Sequence, residues 1–399
     1  PANVWTTLGG DCPLLRDLLA EKRGPAWQLC KFLVSYLRGF SQCGFANNPI
    51  SGLIFMISLA VVSPARFLVC SLAGLLGHLV SMLIQEPSVN IDNGLTVFNP
   101  LIFGAVSHYF VPVYYGDFDG FSVSMMLLCV IFMSYFWRAF GKGGLPCLTI
   151  PFNLAELLLL FTLKNARDQI QSNSTLQESR VLSLDNATAV SAADLAHFAA
   201  ENATLGVGSL DWGIIARASV ASASQLFVVD SVPLGAIVYL GVLIYSPITC
   251  LFGFLGALGG SLVGLQVGAP HDLISIGLWG YNGYLVGASV GGCFFILNAQ
   301  VAAAACVAIV LSTFLQHVLQ IIFASSGMPV GTIPFVLTVW LFIGLGKAPE
   351  GAFFYPLTMS CPEEQRREYY SRRRIAKLEQ MCEAGEPEVL LQNGKATSS

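Results

Sequence analysis

The sequence predicts an all-α membrane protein: ten transmembrane helices in two inverted five-helix repeats, each with a re-entrant half-helix. Three observations predict it. Hydrophobic residues make up 54% of the chain and charged residues only 11%, where a soluble domain carries about 25% charged residues. One motif occurs twice, because Gly94, Leu95, Asn99, Gly104 and Ala105 return as Gly277, Leu278, Asn282, Gly287 and Ala288, an offset of 277 − 94 = 183 residues. Between the two apolar halves lies a polar insert with three Asn-x-Ser/Thr sequons.

The offset holds in other blocks without a gap. Leu145-Pro146-Cys147-Leu148-Thr149-Ile150-Pro151-Phe152 returns as Met328-Pro329-Val330-Gly331-Thr332-Ile333-Pro334-Phe335. Ser41-Gln42 returns as Ser224-Gln225, Phe45 falls opposite Val228, and Phe98 opposite Tyr281. A unit of roughly residues 31–162 is therefore duplicated at 214–345. Such repeats fix an architecture before any residue-level reading. A repeat with an odd number of spans re-enters the membrane from the opposite side, which relates the halves by a pseudo-two-fold axis in the membrane plane.

Taken in order, residues 1–28 form an N-terminal segment holding Arg16, Lys22 and Arg23. The first repeat, 29–163, has apolar stretches at 29–46, 50–63, 66–84, 98–114 and 122–140 and a further piece, 149–163, broken by Pro146 and Pro151. Each is near or below the roughly 20 residues that span a bilayer core. The stretch from Ser88 to Val97 is too short to cross and is bounded by Pro87 and Pro100, so it reads as a re-entrant half-helix, with Ala269 to Gly280 as its twin. Residues 164–212 form the polar loop, whose sequons at Asn173, Asn186 and Asn202 predict an extracellular, glycosylated segment. The second repeat, 213–346, has apolar stretches at 213–229, 233–245, 247–267, 281–296, 299–323 and 332–345. The tail, 347–399, carries Arg366, Arg367, Arg372, Arg373, Arg374 and Lys377. Basic flanks favour the cytoplasm, and an even number of spans places both termini there. Arg138 and Lys142 fit this charge rule poorly.

Several function classes are excluded. The net charge is −4 and no basic stripe exists, so nucleic acid is not a partner. The eleven Cys are scattered without a Cys-x-x-Cys pair, so neither a disulfide framework nor a metal site is expected. No nucleophile elbow, phosphate loop or carboxylate pair occurs. The protein reads as a non-enzyme without a cofactor. The chain opens on Pro, from which a trimmed N-terminus is expected, and shows no secretory signal pattern.

The polar residues inside apolar runs carry the functional reading, and each has two. Asn99 and Asn282 either tie the turn between half-helix and span or touch a permeant. Thr149 and Thr332 either bond back to their own helices or meet as one polar constriction near the bilayer centre. Gln42 and Gln225 either face a pore or join helices. Phe45, Phe98 and Tyr281 either pack or wall a flat slot. Acids are few, and Glu156 aligns with Val339, so the duplication does not preserve it. A polar but uncharged path favours a neutral solute moving passively.

With these residues laid out, the chain resembles the urea transporter family from about Leu37 to Ala348. The motifs are Gln42 to Gly52, Gly277 to Asn282, Leu145 to Asn153 and Met328 to Phe335. The resemblance implies a homotrimer with one urea pore in each protomer, set in plasma-membrane lipid. Carried over, Phe45, Phe98 and Ile102 would wall the slot in one half, and Val228, Tyr281 and Leu285 in the other. Thr149 and Thr332 would be the central pair and Gln42 and Gln225 the polar ends. The rival readings are a channel for water, ammonia or another amide, an ion-coupled transporter using Glu156 or Asp230, and a non-transporting scaffold.

Overall fold

A computed structural model describes residues 8–141, 144–181, 211–347, 351–356 and 360–383, and these are helical with no strand among them. The first half holds α1 (Pro13–Glu21), α2 (Pro25–Gln42), α3 (Pro49–Val62), α4 (Pro64–Leu83), α5 (Ser88–Asp92), α6 (Phe98–Tyr114), α7 (Gly120–Phe140) and α8 (Ile150–Val181). The second holds α9 (Trp212–Ser224), α10 (Val232–Tyr245), α11 (Pro247–Gln266), α12 (His271–Ser275), α13 (Tyr281–Val286), α14 (Ala299–Ala324) and α15 (Ile333–Ile343), and α16 (Pro362–Glu383) follows.

Local chemistry explains where these helices start. A proline needs no hydrogen-bond partner at the first helical turn, and a preceding Asn, Ser or Asp can accept from the free N–H groups there. Asn48 accepts from the amides of Ile50 and Ser51 at the start of α3, and Ser246 from that of Thr249 at the start of α11. Asp119 and Ser122 form a reciprocal capping box at α7.

The duplication is written into the backbone. α3 and α10, α4 and α11, and α5 and α12 start and end at the same offset, and α6 and α13, and α8 and α15, start at it. The positions with positive φ pair likewise: Phe45 with Val228, Gln85 with Gly268, Gly94 with Gly277, and Leu148 with Gly331. The halves meet where Ser51 of α3 donates to the Gly241 carbonyl of α10 at 2.6 Å and the Phe55 ring meets Phe227 edge-on at 6.3 Å.

Four described helices, α4, α7, α11 and α14, are long and apolar enough to cross a membrane, and the α9–α10 pair, bent by 80°, makes a fifth candidate. Outward residues such as Leu83 (81% exposed) and Val61 (76% exposed) are apolar. An outer surface of that kind suits lipid and not water. The chain is therefore a multi-pass membrane protein whose described elements are all helical.

Three features depart from the expected boundaries. The short helices before α6 and α13 have only five residues each, and turns fill the rest of both stretches. α8 does not stop near residue 163 but runs on to Val181, so the backbone at Asn173 is helical; Asn186 and Asn202 lie outside the described residues. The helix begun by α13 continues as a π-helical turn over Gly287–Cys293, where α6 runs unbroken. Four of those seven residues are Gly or Ala, and Gly287 and Gly291 lie directly against Phe252 of α11.

The flanking segments are docked. Arg38 donates to the Asp11 carbonyl at 2.8 Å, and Asn48 to those of Leu8 and Gly10. Glu363 of α16 accepts from the Ser246 hydroxyl and the Ile248 amide, both at 2.9 Å, adding its charge to the N-terminus of α11. The start of the basic tail is thus fixed to the helical body.

Gly52 and Gly235 are a matched pair at which consecutive helices touch backbone to backbone. A Cβ on Gly52 would stand 1.8 Å from the Leu37 carbonyl oxygen, and one on Gly235 2.1 Å from that of Val220. Close approach through small residues is how membrane helices gain packing energy without a hydrophobic drive. Gly235→Ala is expected to force α9 and α10 apart and cost about 1–3 kcal/mol. Thermal unfolding in detergent checks this, and an unshifted transition would contradict the crossing.

Candidate functional site

The site is built at the two breaks before α8 and α15. Leu148 and Gly331 have φ of 49° and 57°, a left-handed conformation that is uncommon and costs a residue with a Cβ about 1 kcal/mol or more. The next residues, Thr149 and Thr332, then start their helices: the Asn153 amide donates to the Thr149 carbonyl at 3.0 Å and the Val336 amide to that of Thr332 at 3.1 Å. Neither threonine hydroxyl is bonded to a backbone carbonyl of its own helix; the Thr149 hydroxyl has only the Asn153 side chain of that helix near it, at 3.5 Å. Instead the two Oγ1 atoms lie 2.6 Å apart, in residues that are 5% and 8% exposed.

The asparagines act at these breaks. Asn99 donates to the Leu148 carbonyl at 2.9 Å, and Asn282 to the Gly331 carbonyl at 3.3 Å and to Gln316 at 2.9 Å. They hold the backbone just before each threonine, not the turn beside the short helix. That turn is held by the glutamines. Gln42 donates to the Asn93 carbonyl at 2.9 Å and Gln225 to the Ile276 carbonyl at 2.6 Å, at the ends of α5 and α12. Tyr281, partly buried, donates its hydroxyl to the Gly331 carbonyl at 2.5 Å, which gives the phenol the partner it needs away from water.

Phe45 and Val228 sit on matched turns after α2 and α9, with φ of 61° and 56°. Their amides donate to Gln42 and Gln225 carbonyls, each at 3.0 Å. A β-branched residue rarely takes this conformation. Arg66, reaching over from α4, donates to the carbonyls of Phe227 and Val228 and so helps fix the strained turn. The Phe45 ring packs edge-on against Phe335 at 5.8 Å and Phe294 at 6.4 Å, and the Phe98 ring against Trp137 at 5.8 Å.

These positions share one cavity of about 950 Å³. Gln42, Phe45, Phe98, Ile102, Thr149, Gln225, Val228, Tyr281, Leu285 and Thr332 all line it. Among the described residues its wall has no Lys, Arg, Asp or His, and its one acid is Glu156, which accepts from Ser107 at 2.9 Å. Asp230 stands off the wall and is paired with Arg217 at 2.9 Å and 3.1 Å. Sequence reasoning missed Asn153, Arg66 and the packing partners of Phe45. Asn153 had a usable signal: it is polar, four residues after Thr149 in an apolar run, and Val336 stands in its place in the second copy.

An apolar helical bundle that encloses an internal cavity between two matched halves, walled almost wholly by uncharged groups, defines a membrane transport protein for a small neutral solute. The sequence profile of the family described as "Urea transporter" matches residues 33–347. Among similar curated proteins, "Urea transporter 1" of Ovis aries and of Capra hircus are each 30% identical over 348 residues, covering 85% of this chain and 84% of theirs. "Urea transporter 1" of Rattus norvegicus is 27% identical over 344 residues, with the same coverage. The chain belongs to the urea transporter family; it is a transport protein and not an enzyme.

The asparagine bonds predict a matched pair of effects. Asn99→Leu leaves the Leu148 carbonyl without its donor, and Asn282→Leu leaves the Gln316 side-chain oxygen without its donor while the Gly331 carbonyl keeps the Tyr281 hydroxyl; each is expected to destabilise the protein by about 1–3 kcal/mol. Denaturation of the purified protein measures this, and two variants as stable as the parent would show that the breaks do not depend on these amides.

Proposed function

We propose that the chain mediates passive, ion-independent diffusion of urea across the plasma membrane through a narrow neutral pore in each protomer of a homotrimer. The single observation that carries this reading is the wall of the central cavity, which is apolar and polar but almost free of charge. Family membership supplies the solute. The matched helix registers support ten spans in two inverted halves, with both termini cytoplasmic and the segment 164–212, the extension of α8 included, outside and bearing glycans at Asn173, Asn186 and Asn202.

Urea is planar and neutral, with N–H donors along its edges and one carbonyl acceptor. Leaving water costs it those hydrogen bonds, a few kcal/mol for each unreplaced group. Phe45, Phe98 and Ile102 from one half, and Val228, Tyr281 and Leu285 from the other, would cover its faces. Gln42 and Gln225 would mark the polar ends of the slot. Thr149 and Thr332 would meet the solute at the middle with hydroxyls, which can donate as well as accept. An ion loses far more on dehydration than such a wall returns, and is kept out. Water, ammonia and other small amides remain the alternative solutes.

Flux into proteoliposomes tests the reading. Urea is expected to equilibrate at a rate unaffected by Na⁺ or H⁺ gradients. Accumulation of urea against its gradient when an ion gradient is imposed would establish coupling instead, and water or ammonia flux without urea flux would select a different solute. Thr332→Val keeps the volume and removes one hydroxyl, so urea flux is expected to fall on the order of ten-fold. Unchanged flux in a folded variant would take Thr332 out of the path.

A further inference from the structure

The central hydroxyl pair is not symmetric, and the asymmetry lies in one residue. Asn153 of the first half reaches across to the second: its Nδ2 donates to Thr332 Oγ1 at 2.9 Å and to the Thr149 carbonyl at 2.8 Å, while Thr149 Oγ1 stands farther off at 3.5 Å. Its Oδ1 accepts from the Thr332 amide at 3.0 Å. A backbone amide can only donate, so this last bond fixes which end of the Asn153 amide is oxygen. Both Nδ2 hydrogens are then in use. The residue is 4% exposed and lines the cavity.

No counterpart exists in the other half, where Val336 occupies the matched position. The backbone makes room for the exception. A Cβ on Gly331 would lie 2.5 Å from Asn153 Oδ1, whereas the matched residue, Leu148, carries a full side chain in the same left-handed conformation. Asn153 and Gly331 therefore form one local arrangement.

Hydroxyl accounting gives it a consequence. Two threonine hydroxyls 2.6 Å apart share one hydrogen between them and leave the other free for a third group. Either threonine can hold the free hydrogen in an isolated pair. An N–H donated to Thr332 Oγ1 polarises that hydroxyl and makes it the better donor toward Thr149. The free hydrogen then sits on Thr149.

We propose that Asn153 is a positioning residue that orients the pair, running Asn153 to Thr332 to Thr149, so that the solute's carbonyl oxygen meets a fixed O–H donor at Thr149. This rests on the urea reading and deepens it. Rings elsewhere on the wall, such as Phe45, Phe98 and Tyr281, serve the faces of the solute; the oriented hydroxyl serves its one acceptor. The device selects for solutes with a strong acceptor atom at the head of a planar diamino group.

Urea and thiourea separate this from a packing role, since they share shape and N–H groups while sulfur accepts hydrogen bonds weakly. Permeabilities of both are measured in proteoliposomes for the parent, Asn153→Val, Thr332→Val and the double variant, each checked for folding by gel filtration. The parent conducting no urea would sink the urea reading itself. With urea flux present, Asn153→Val is expected to lower the urea-to-thiourea ratio on the order of ten-fold. In the Thr332→Val background the same change is expected to move the ratio by less than about two-fold, because Asn153 acts through Thr332. A ratio equal to the parent's in folded Asn153→Val, or the same shift in both backgrounds, would overturn the proposal and leave the urea reading intact. If Asn153→Val does not fold, Asn153→Ser, too short to reach both Thr332 groups, is read in the same way.

Discussion

A peptide group freed inside a bilayer must find a partner within the protein, because no water is there to supply one. The architecture follows from this constraint. Two helices begin beside the central cavity, at Thr149 and Thr332, after stretches of irregular backbone that leave carbonyls outside any helix. Asn99 and Asn282 satisfy one carbonyl at each break, and Gln42 and Gln225 one at the end of each short helix. Four amide side chains, in two matched pairs, thereby take up carbonyls that the irregular backbone leaves outside its helices. A polar interior becomes affordable only where this accounting is complete.

Much of this was legible in the sequence, since duplication doubles every signal. One Thr in a span suggests a back-bond; two in identical Thr-Ile-Pro-Phe blocks suggest a meeting, and the hydroxyls stand 2.6 Å apart. Positions named by their recurrence line one cavity. What recurrence does not convey is the third dimension. It marked Asn99 and Gln42 as paired with Asn282 and Gln225, but not which carbonyl each amide reaches, and the partners lie 49 and 51 residues away. Nor does composition set helix ends. Ser88 to Val97 is uniformly suited to a half-helix, yet Gly94 at φ 69° ends any helix there, with its α-carbon against the Gly39 amide where no Cβ fits. The polar residues after Leu163 look like loop because they are hydrophilic, but helix α8 continues through them to Val181.

The same method is blind to what the copies do not share, and function resides partly there. Asn153, Arg66 and Glu156 face Val336, Thr249 and Val339 in the second copy. Arg66 crosses between halves to secure the turn at Val228, so a first-half cation supports second-half strain. The π-helical turn after α13 has no equivalent in α6, and such turns often mark places where a helix has been adapted to a site. Duplication lays down a symmetric frame, and later single substitutions give its centre a direction.

That direction bears on why an uncharged wall suffices for transport. Coupling a solute to an ion requires a group whose charge is exposed in one state and compensated in another. Asp230 is held by two bonds to Arg217 away from the cavity, and Arg217 is held in turn by the Ser275 carbonyl. Glu156 lies on the wall, but Ser107 already occupies one of its oxygens and the residue is 3% exposed. Asp230 is thus off the wall and paired, and Glu156 stands alone, among the described residues, as an acid on it. The rest of the described cavity wall consists of neutral groups, which on the proposed reading replace a solute's lost hydrogen bonds without asking the protein to move. A wall of that kind lowers the barrier equally in both directions, and the concentration gradient alone decides which way the solute goes.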